Sequence, residues 1–325
     1  MYEPLSIEQL TSDNWNTFME KALPVNGLIP TRNMGIEVQN TTCNDRIGWM
    51  VGYFFQQQVG TYDNDVPQDA TGDLWSPHLD ATDVAARVYG LPWYENNGEH
   101  LLHIGIGYEH KFRSVEGDTT NAGQLNAGEL DFKSSPEANM FSPLIDTDNF
   151  LAKGVDIIDP EIALVYGPFS AQAEYIYASA SNVTDTTGAP LAANHNASFC
   201  GWYGQVSYFI TGEHRPYSKT PSPTEYQGSF GRIIPNCNFN PLTGGIGAWE
   251  VAFRVSQLDL SDVAAGFDDG KETDYTVGIN WYLNPNVMMK LNYIHADVTP
   301  HTEPYGALTS NGSDNIFETR FQIAF

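Results

Sequence analysis

Hydrophobic residues alternate with polar or small residues along many stretches of about ten residues. In residues 248–258, for example, four successive odd positions are apolar: Trp249, Val251, Phe253 and Val255. Glu250 and Arg254 lie at the even positions between them. Because successive side chains of a β-strand point to opposite faces, this alternation predicts strands with one apolar and one polar face. The same pattern recurs near residues 47–55, 102–108, 202–210, 273–283, 287–296 and 317–325.

Two all-β architectures fit this pattern. A soluble, acidic β-sandwich that binds ligands or acts as an adhesin would alternate in the same way. An antiparallel transmembrane β-barrel would do so too, and it would also place aromatic residues near the strand ends of the apolar face. Here that face carries aromatic residues near strand ends, and Phe325 ends the last strand on it. A terminal aromatic residue is an assembly signal of bacterial outer-membrane barrels, so the barrel is favoured.

The composition restricts the functional classes. The chain has 15 Lys plus Arg against 40 Asp plus Glu, which gives a formal charge of −25. This charge argues against nucleic-acid binding, since no basic stripe is present to neutralise phosphates. The aromatic content of 13% argues against a disordered acidic chain. No apolar run reaches the length of a transmembrane helix, and the start of the chain lacks the features of a signal peptide.

Several stretches, in order along most of the chain, resemble the phosphate-selective porin O/P family of bacterial outer-membrane channels. They are Glu3-Pro4-Leu5-Ser6, Thr17-Phe18-Met19-Glu20, Gly167-Pro168-Phe169-Ser170 with Glu174-Tyr175, Gly201-Trp202-Tyr203, Tyr208-Phe209-Ile210-Thr211-Gly212-Glu213, Gly247-Ala248-Trp249-Glu250, Leu258-Asp259-Leu260, Asn280-Trp281-Tyr282-Leu283-Asn284-Pro285-Asn286 and Leu291-Asn292-Tyr293. The resemblance implies a sixteen-stranded barrel in which two loops fold inward and narrow the pore. Residues 1–30 would form the first inward-folded constriction loop, and residues 113–154 the second, within barrel strands that occupy 31–325.

With both loops set aside, the alternation predicts eleven strands. They lie near 31–40, 46–58, 80–91, 99–112, 155–166, 168–179, 200–212, 247–258, 272–283, 286–297 and 315–325. The long connections 59–79, 180–199, 259–271 and 298–314 then fall on one side, as such barrels require. Residues 213–246 are a misfit, because a short turn is expected there. An odd number of strands cannot close as an antiparallel barrel, so we expect an N-terminally truncated porin with about five further strands upstream.

The family resemblance also identifies a selectivity region. In the family, arginines on alternate residues of the second inward loop, just before a Pro-Glu pair, pass phosphate along the pore. The matching positions here are Asp131, Lys133 and Ser135, followed by Pro136-Glu137. Only Lys133 is cationic, and Asp131 opposes it. We therefore expect an outer-membrane porin for small hydrophilic solutes or ions in which anion selectivity is doubtful.

The odd or even position of a residue along its strand, which we call parity, predicts further charged residues on the lumen face of the wall. They are Arg87, Glu109, Glu161, Glu174, Glu250, Arg254, Lys290, Glu318 and Arg320. These charges would either set a weak or cation-preferring selectivity or pair with one another in a network that stiffens the wall. Tyr203, Tyr282 and Phe132 would either form a slide for solutes or fill space under an inward loop.

No enzyme, metal site or cofactor is predicted, because the eight histidines are scattered and no catalytic motif occurs. Cys43 and Cys237 both fall in predicted periplasmic connections, so a disulfide between them is an open hypothesis. The expected partners are outer-membrane lipid and lipopolysaccharide, the barrel-assembly machinery, small ions or solutes, and two further copies in a homotrimer.

Overall fold

The computed structural model describes residues 1–55, 82–112, 129–193, 195–222, 225–299 and 312–324. Within these residues, eleven long strands form one antiparallel sheet in which each strand pairs with its neighbours in sequence. They are β1 (Met34–Thr42), β2 (Ile47–Phe55), β3 (Thr82–Glu95), β4 (His100–Phe112), β5 (Gly154–Tyr166), β6 (Phe169–Ser181), β7 (Asn196–Phe209), β8 (Ala248–Asp262), β9 (Phe267–Asn284), β10 (Val287–Thr299) and β11 (Gly312–Ile323). The prediction of eleven antiparallel strands is confirmed, while Phe325 lies outside the described residues.

One predicted connection is much shorter than expected. The sequence predicts a long loop over 259–271, but β8 and β9 continue to a tight turn at Val263–Ala265. Leu258, Leu260 and Phe267 are buried in one hydrophobic cluster, so the alternation continues to the end of both strands. A β-bulge between Asp259 and Ser261 shifts the register there.

One face of the sheet is apolar and exposed. Ile104 and Ile106 of β4, for instance, are about half exposed, while their neighbour His103 is fully buried on the other face. Equivalent exposed positions occur on every strand, among them Ile36, Val51, Val88, Ile162, Tyr175, Val206, Phe253, Val277, Leu291 and Phe317. A soluble sandwich would bury such faces between two sheets. The single sheet and its exposed apolar face therefore contradict the sandwich alternative.

Three segments lie on the opposite face, which we call the covered face. Residues 1–33 include two short helices, α1 (Ile7–Leu10) and α2 (Leu23–Leu28). Residues 129–153 form two small ladders, Glu129–Leu130 with Phe150–Leu151 and Lys133–Ser134 with Ile145–Asp146. Among the described residues, no helix is both long and apolar enough to span a membrane.

The third segment on the covered face lies within residues 213–246, of which 213–222 and 225–246 are described. It carries a ladder between Tyr217–Ser218 and Ser229–Phe230. Tyr217 and Phe230 are buried with Tyr89 and Leu101 of the wall. The expectation of a short turn here is wrong, because these apolar residues give the segment its own contact with the sheet. The covered face thus carries a third segment besides the two that the sequence predicted.

The edge strands and the cysteines complete the fold. In the described part of the chain, β1 pairs only with β2 and β11 only with β10, so the sheet has two open edges.

Cys43, Cys200 and Cys237 are free thiols, and the disulfide hypothesis for Cys43 and Cys237 is therefore not supported. Both of these residues are exposed in connections at the same end of the sheet.

Candidate functional site

Arg254 of β8 lies on the covered face and is fully buried. Its Nη1 atom is 2.8 Å from Oε1 of Glu8, and its Nη2 atom is 2.6 Å from Oε2 of Glu137. The guanidinium also donates to the backbone oxygen of Glu20 and packs on the ring of Phe18. Arginine suits this position because its planar fork can bind two carboxylates at once. One side chain of the wall therefore binds the first and the second covering segments together.

Glu137 is bound to the wall by further contacts. Its carboxylate accepts hydrogen bonds from Ser256 of β8 at 2.6 Å and from Thr276 of β9 at 2.5 Å. Its backbone N–H donates to Asp274 of β9 at 2.8 Å. The sequence predicts Glu137 as part of the selectivity region, but its side chain is completely buried between its own loop and the wall. Its contacts are those of an anchor for residues 129–153.

A second group of contacts surrounds Glu250 of β8. This carboxylate binds the guanidinium of Arg215 and accepts hydrogen bonds from Asn280 and Tyr282 of β9 at 2.9 and 2.8 Å. Arg215 belongs to the third covering segment, and its Nη1 atom also donates to the backbone oxygen of Trp15 at 3.2 Å. Burial is complete for all these groups, so each charge is neutralised inside the protein.

Lys290 of β10 contacts the first covering segment directly. Its ammonium donates to the backbone oxygen of Asn16 at 2.5 Å and to that of Phe18 at 3.5 Å. Asn280 donates to the backbone oxygen of Thr17 at 2.8 Å in the same stretch. Polar side chains of the wall thus satisfy the backbone carbonyls of a segment that has no regular structure there.

A third group of contacts is centred on Glu161 of β5. Arg87 of β3 donates to Oε1 of Glu161 from Nε at 2.8 Å, and His103 of β4 lies 2.9 Å from the same oxygen. The other ring nitrogen of His103 is 2.7 Å from the hydroxyl of Tyr217. Arg87 also donates to the backbone oxygen of Gly228 at 2.9 Å, which binds the third covering segment. Gly105, opposite Glu161, leaves room for its carboxylate, since a Cβ atom there would lie 2.2 Å from Oε1.

All the predicted lumen-facing charges lie on the covered side of their strands. Glu109 binds Lys111, and Glu174 accepts hydrogen bonds from the backbone N–H of Glu8 at 3.0 Å and from Tyr203. Glu318 and Arg320 of the edge strand β11 are half-buried, and Arg320 pairs with Glu20 at 2.9 Å. The rest are buried under the three segments: Arg87, Glu109, Glu161, Glu174, Glu250, Arg254 and Lys290.

The side chains at positions 131, 133 and 135 do not share this burial. Lys133 is exposed, and Asp131 and Ser135 are partly exposed, while Phe132 and Ser134 between them are buried. The Lys133 ammonium binds the carboxylate of Asp131, and Lys133 pairs in register with Asp146. Asp146 in turn accepts a hydrogen bond from the backbone N–H of Asp148 at 2.8 Å. One cation is thus surrounded by three acidic residues, which we call the acidic group.

The charges of the acidic group perturb one another. Partial burial and the neighbouring Asp131 carboxyl raise the pKa of Asp146 to about 6. The hydrogen bond to Asp131 raises the pKa of Lys133, so the ammonium stays charged. With all four groups ionised, the acidic group has a net charge of −2. It therefore attracts cations more strongly than anions.

Tyr203, Tyr282 and Phe132 are all buried. Tyr203 donates to Glu174 and Tyr282 to Glu250, and Phe132 packs between Phe150 and Phe199. These contacts correspond to space filling under the covering segments. The described side chains do not form an open aromatic track.

Several residues of the site were not predicted. They are Glu8, Asp146, Asp159, Arg215 and Tyr217. Parity would have found Asp159, which lies two residues before Glu161 on the same face. Arg215 and Tyr217 had one available signal, the excess length of the segment 213–246. Glu8 had none, because a residue on an irregular segment has no periodicity to reveal its partner.

Two groups of buried carboxylates have the ligand types of a cation site. Oxygen atoms of Glu3, Asp83 and Glu109 lie within 4.8 Å of one another, and so do those of Asp159, Glu161 and Glu174. Such clusters of hard oxygen ligands are typical of calcium or magnesium sites.

Comparison with known proteins agrees with this architecture. The model of the family "Phosphate-selective porin O and P" matches residues 1–325. Porin O of Pseudomonas aeruginosa is 25% identical over 338 aligned residues, which cover 98% of this chain and 68% of that protein. An uncharacterized protein of Caulobacter vibrioides is 24% identical over 89% of this chain and 50% of its own length. The chain therefore belongs to the phosphate-selective porin O and P family, and it is a channel protein of the bacterial outer membrane and not an enzyme.

Proposed function

We propose that the protein is a passive channel for small hydrophilic solutes or ions with weak or cation-preferring selectivity. The observation that carries this proposal is the acidic group, in which Asp131, Asp146 and Asp148 surround the single cation Lys133. A run of arginines would concentrate anions because each guanidinium offers a fork of donors to phosphate. Here Asp131 and Ser135 occupy two of the three corresponding positions, and the local charge is negative.

The passage is narrowed, in this proposal, by residues 1–30 and 113–154, with residues 213–246 as a third contribution. The geometry of the described parts supports it, because all three pack on the covered face. Asp131, Lys133 and Ser135 form the selectivity region. Glu137, bound to Arg254, positions the loop that carries them.

The remaining charges of the covered face act as anchors in this proposal. Each of Arg87, Arg254 and Lys290 contacts a covering segment through an ion pair or a backbone carbonyl. Because these groups are buried and paired, ions in the passage meet the acidic group and not the wall charges. The half-buried Arg320 and Glu318, at the edge of the sheet, are the wall charges most accessible to ions.

We further propose that the sheet closes into a sixteen-stranded barrel with five additional strands. The two open edges and the odd number of strands support closure by further strands, since eleven strands cannot close as a purely antiparallel barrel. The exposed apolar face would contact lipid and lipopolysaccharide, after insertion by the barrel-assembly machinery. A homotrimer is the proposed assembly, which chemical cross-linking in outer-membrane vesicles would test.

The deciding experiment is the reversal potential of the full-length protein in a planar bilayer under a KCl gradient, first without and then with phosphate. A cation-signed potential with no block by phosphate is the expected result. An anion-signed potential with phosphate block would overturn the proposed selectivity. Absence of conductance would overturn the channel proposal itself and indicate a barrel plugged by its covering segments.

A further inference from the structure

The carboxylates of Asp159, Glu161 and Glu174 form an unusual group on neighbouring strands. Glu161 of β5 and Glu174 of β6 face each other directly in register. Like charges in this arrangement destabilise a sheet, and burial strengthens the repulsion. Asp159 adds a third carboxylate, and one oxygen of each lies within 4.8 Å of the others. A bound cation, or a proton shared between two of the carboxyls, must relieve this repulsion.

Hydrogen-bond donors contact only some of the carboxylate oxygens in this group. Oε1 of Glu161 binds Arg87 and His103, and Oε1 of Glu174 accepts from the backbone of Glu8 and from Tyr203. The Oε2 atoms of both glutamates are buried and have no hydrogen-bond partner among the described residues. The same is true of both carboxylate oxygens of Asp159, whose side chain is 0% exposed. Four carboxylate oxygens are therefore left without donors.

The local charges do not balance either. Three carboxylates and the guanidinium of Arg87 sum to −2. His103 is fully satisfied as a neutral ring, with its Nε2–H donating to Glu161 and its Nδ1 accepting from Tyr217. A divalent cation would supply the missing charge and would bind the oxygens that lack donors.

We propose that Asp159, Glu161 and Glu174 bind one divalent cation of the calcium or magnesium class. Calcium binds oxygen ligands at about 2.3–2.6 Å, so oxygens on opposite sides of one ion lie up to about 5 Å apart. One oxygen of each of the three carboxylates lies within this span of the other two. Three carboxylates offer up to six ligand oxygens, and the hard oxygen set disfavours softer metals.

The position of the ion explains how residues 5–8 stay on the wall. Glu8 donates its N–H to Glu174, and Leu5 packs over Gly107, the residue paired with Asp159 in β4. With the cation bound, Glu174 is held in place to accept that hydrogen bond. The site therefore fixes the first covering segment to β5 and β6.

The second carboxylate group provides a matched comparison. In Glu3, Asp83 and Glu109, each carboxylate has an interaction partner, including Lys111 on Glu109 and Asn33 on Glu3. No carboxylate there is left wholly without a partner, in contrast to Asp159. An Asp83→Asn variant is thus a control with the same chemical change in the same kind of environment.

Calcium content of the refolded protein tests the proposal. The full chain is folded in detergent with about 1 mM CaCl2, or with MgCl2 in a parallel sample, and desalted. Bound metal is then counted by mass spectrometry. We expect one ion per chain in the wild type and in Asp83→Asn, and at least a tenfold loss in Asp159→Asn. Wild-type protein without either metal, or an Asp159→Asn variant with full occupancy, would overturn the proposal.

Thermal unfolding gives an independent reading. The midpoint of the wild type should rise in calcium or magnesium relative to EDTA, because the ion binds the folded state. The rise should vanish in Asp159→Asn and, if that variant does not fold, in Glu174→Gln. Midpoints that do not respond to either ion would contradict the site. The outcome does not depend on conductance, so failure here would leave the channel proposal standing.

Discussion

Glu8 and Arg254, which lie 246 residues apart in the chain, form a buried ion pair with 2.8 Å between Oε1 and Nη1. The pair connects the first covering segment to β8, and Arg254 binds Glu137 of the second segment as well. Burial raises the pKa of the Glu8 carboxyl, and Arg254 opposes that rise. The guanidinium therefore supplies the positive charge that two buried carboxylates share.

Replacement of Arg254 by Met should lower the free energy of unfolding by about 3–5 kcal/mol, because two carboxylates lose their buried partner. Urea unfolding of the detergent-folded protein measures the change. Arg320→Met is the matched control, since Arg320 and Glu20 form a partly exposed pair with side chains 32% and 22% accessible. That variant should lose less than about 1 kcal/mol. Equal losses in the two variants would contradict the anchoring role of Arg254.

Replacement of Asp131 by Asn should weaken cation preference. The change reduces the net charge of the acidic group from −2 to −1. A unit charge at about 4 Å in water contributes about 1 kcal/mol, so each ion's local concentration should change by no more than about fivefold. The reversal potential under a KCl gradient should move towards the anion side. Asp185→Asn, in the exposed connection between β6 and β7, should leave the potential unchanged.

Cation preference should also depend on pH through Asp146. Its pKa is raised to about 6, so the carboxyl takes up a proton as the pH falls from 7 to 5. The acidic group then changes from −2 to −1, and cation preference decreases. Reversal potentials measured across this range test the direction. The change in reversal potential between pH 7 and 5 should disappear in Asp146→Asn. If the variant kept the full change, the titration would belong to another residue.

The exposed apolar face should not accept a charge near its centre. Val277 lies in the middle of β9 and is 47% exposed. Val277→Arg should therefore destabilise the protein folded in lipid vesicles by about 2–4 kcal/mol. Val263→Arg, in the turn after β8, should cost no more than about 1 kcal/mol. Similar costs at both positions would mean that the bilayer does not cover Val277.

Period-two alternation was enough to predict the wall. Strand β9 shows why, because Tyr275, Val277 and Ile279 are exposed while Thr276 and Asn280 are buried, as parity requires. Faces could be assigned in this way for ten of the eleven strands, since no alternation was assigned to β1. The far ends of β8 and β9 were missed because a hydrophobic cluster, centred on residues distant in sequence, extends the strands beyond the expected loop.

The contacts of the covering segments could not be predicted in the same way. Parity placed Arg87 and Glu174 on the correct face, but it could not show that Gly228 and Glu8 lie over them. These partners sit on irregular backbone, where no periodicity links sequence to position. Burial of the wall charges under three segments, in place of an open lumen lining, follows from those contacts alone.

The long sequence separation of the anchors has a consequence for the order of folding. Residues 15–18 are held by Arg215, Asn280 and Lys290, which are synthesised 200 or more residues later. Contacts between residues so far apart in sequence form slowly, because a long loop must close before the contacts can stabilise the fold. Residues 1–30 therefore dock only after β8–β10 have formed. The polar side of the wall remains hydrated until this late docking step displaces the water.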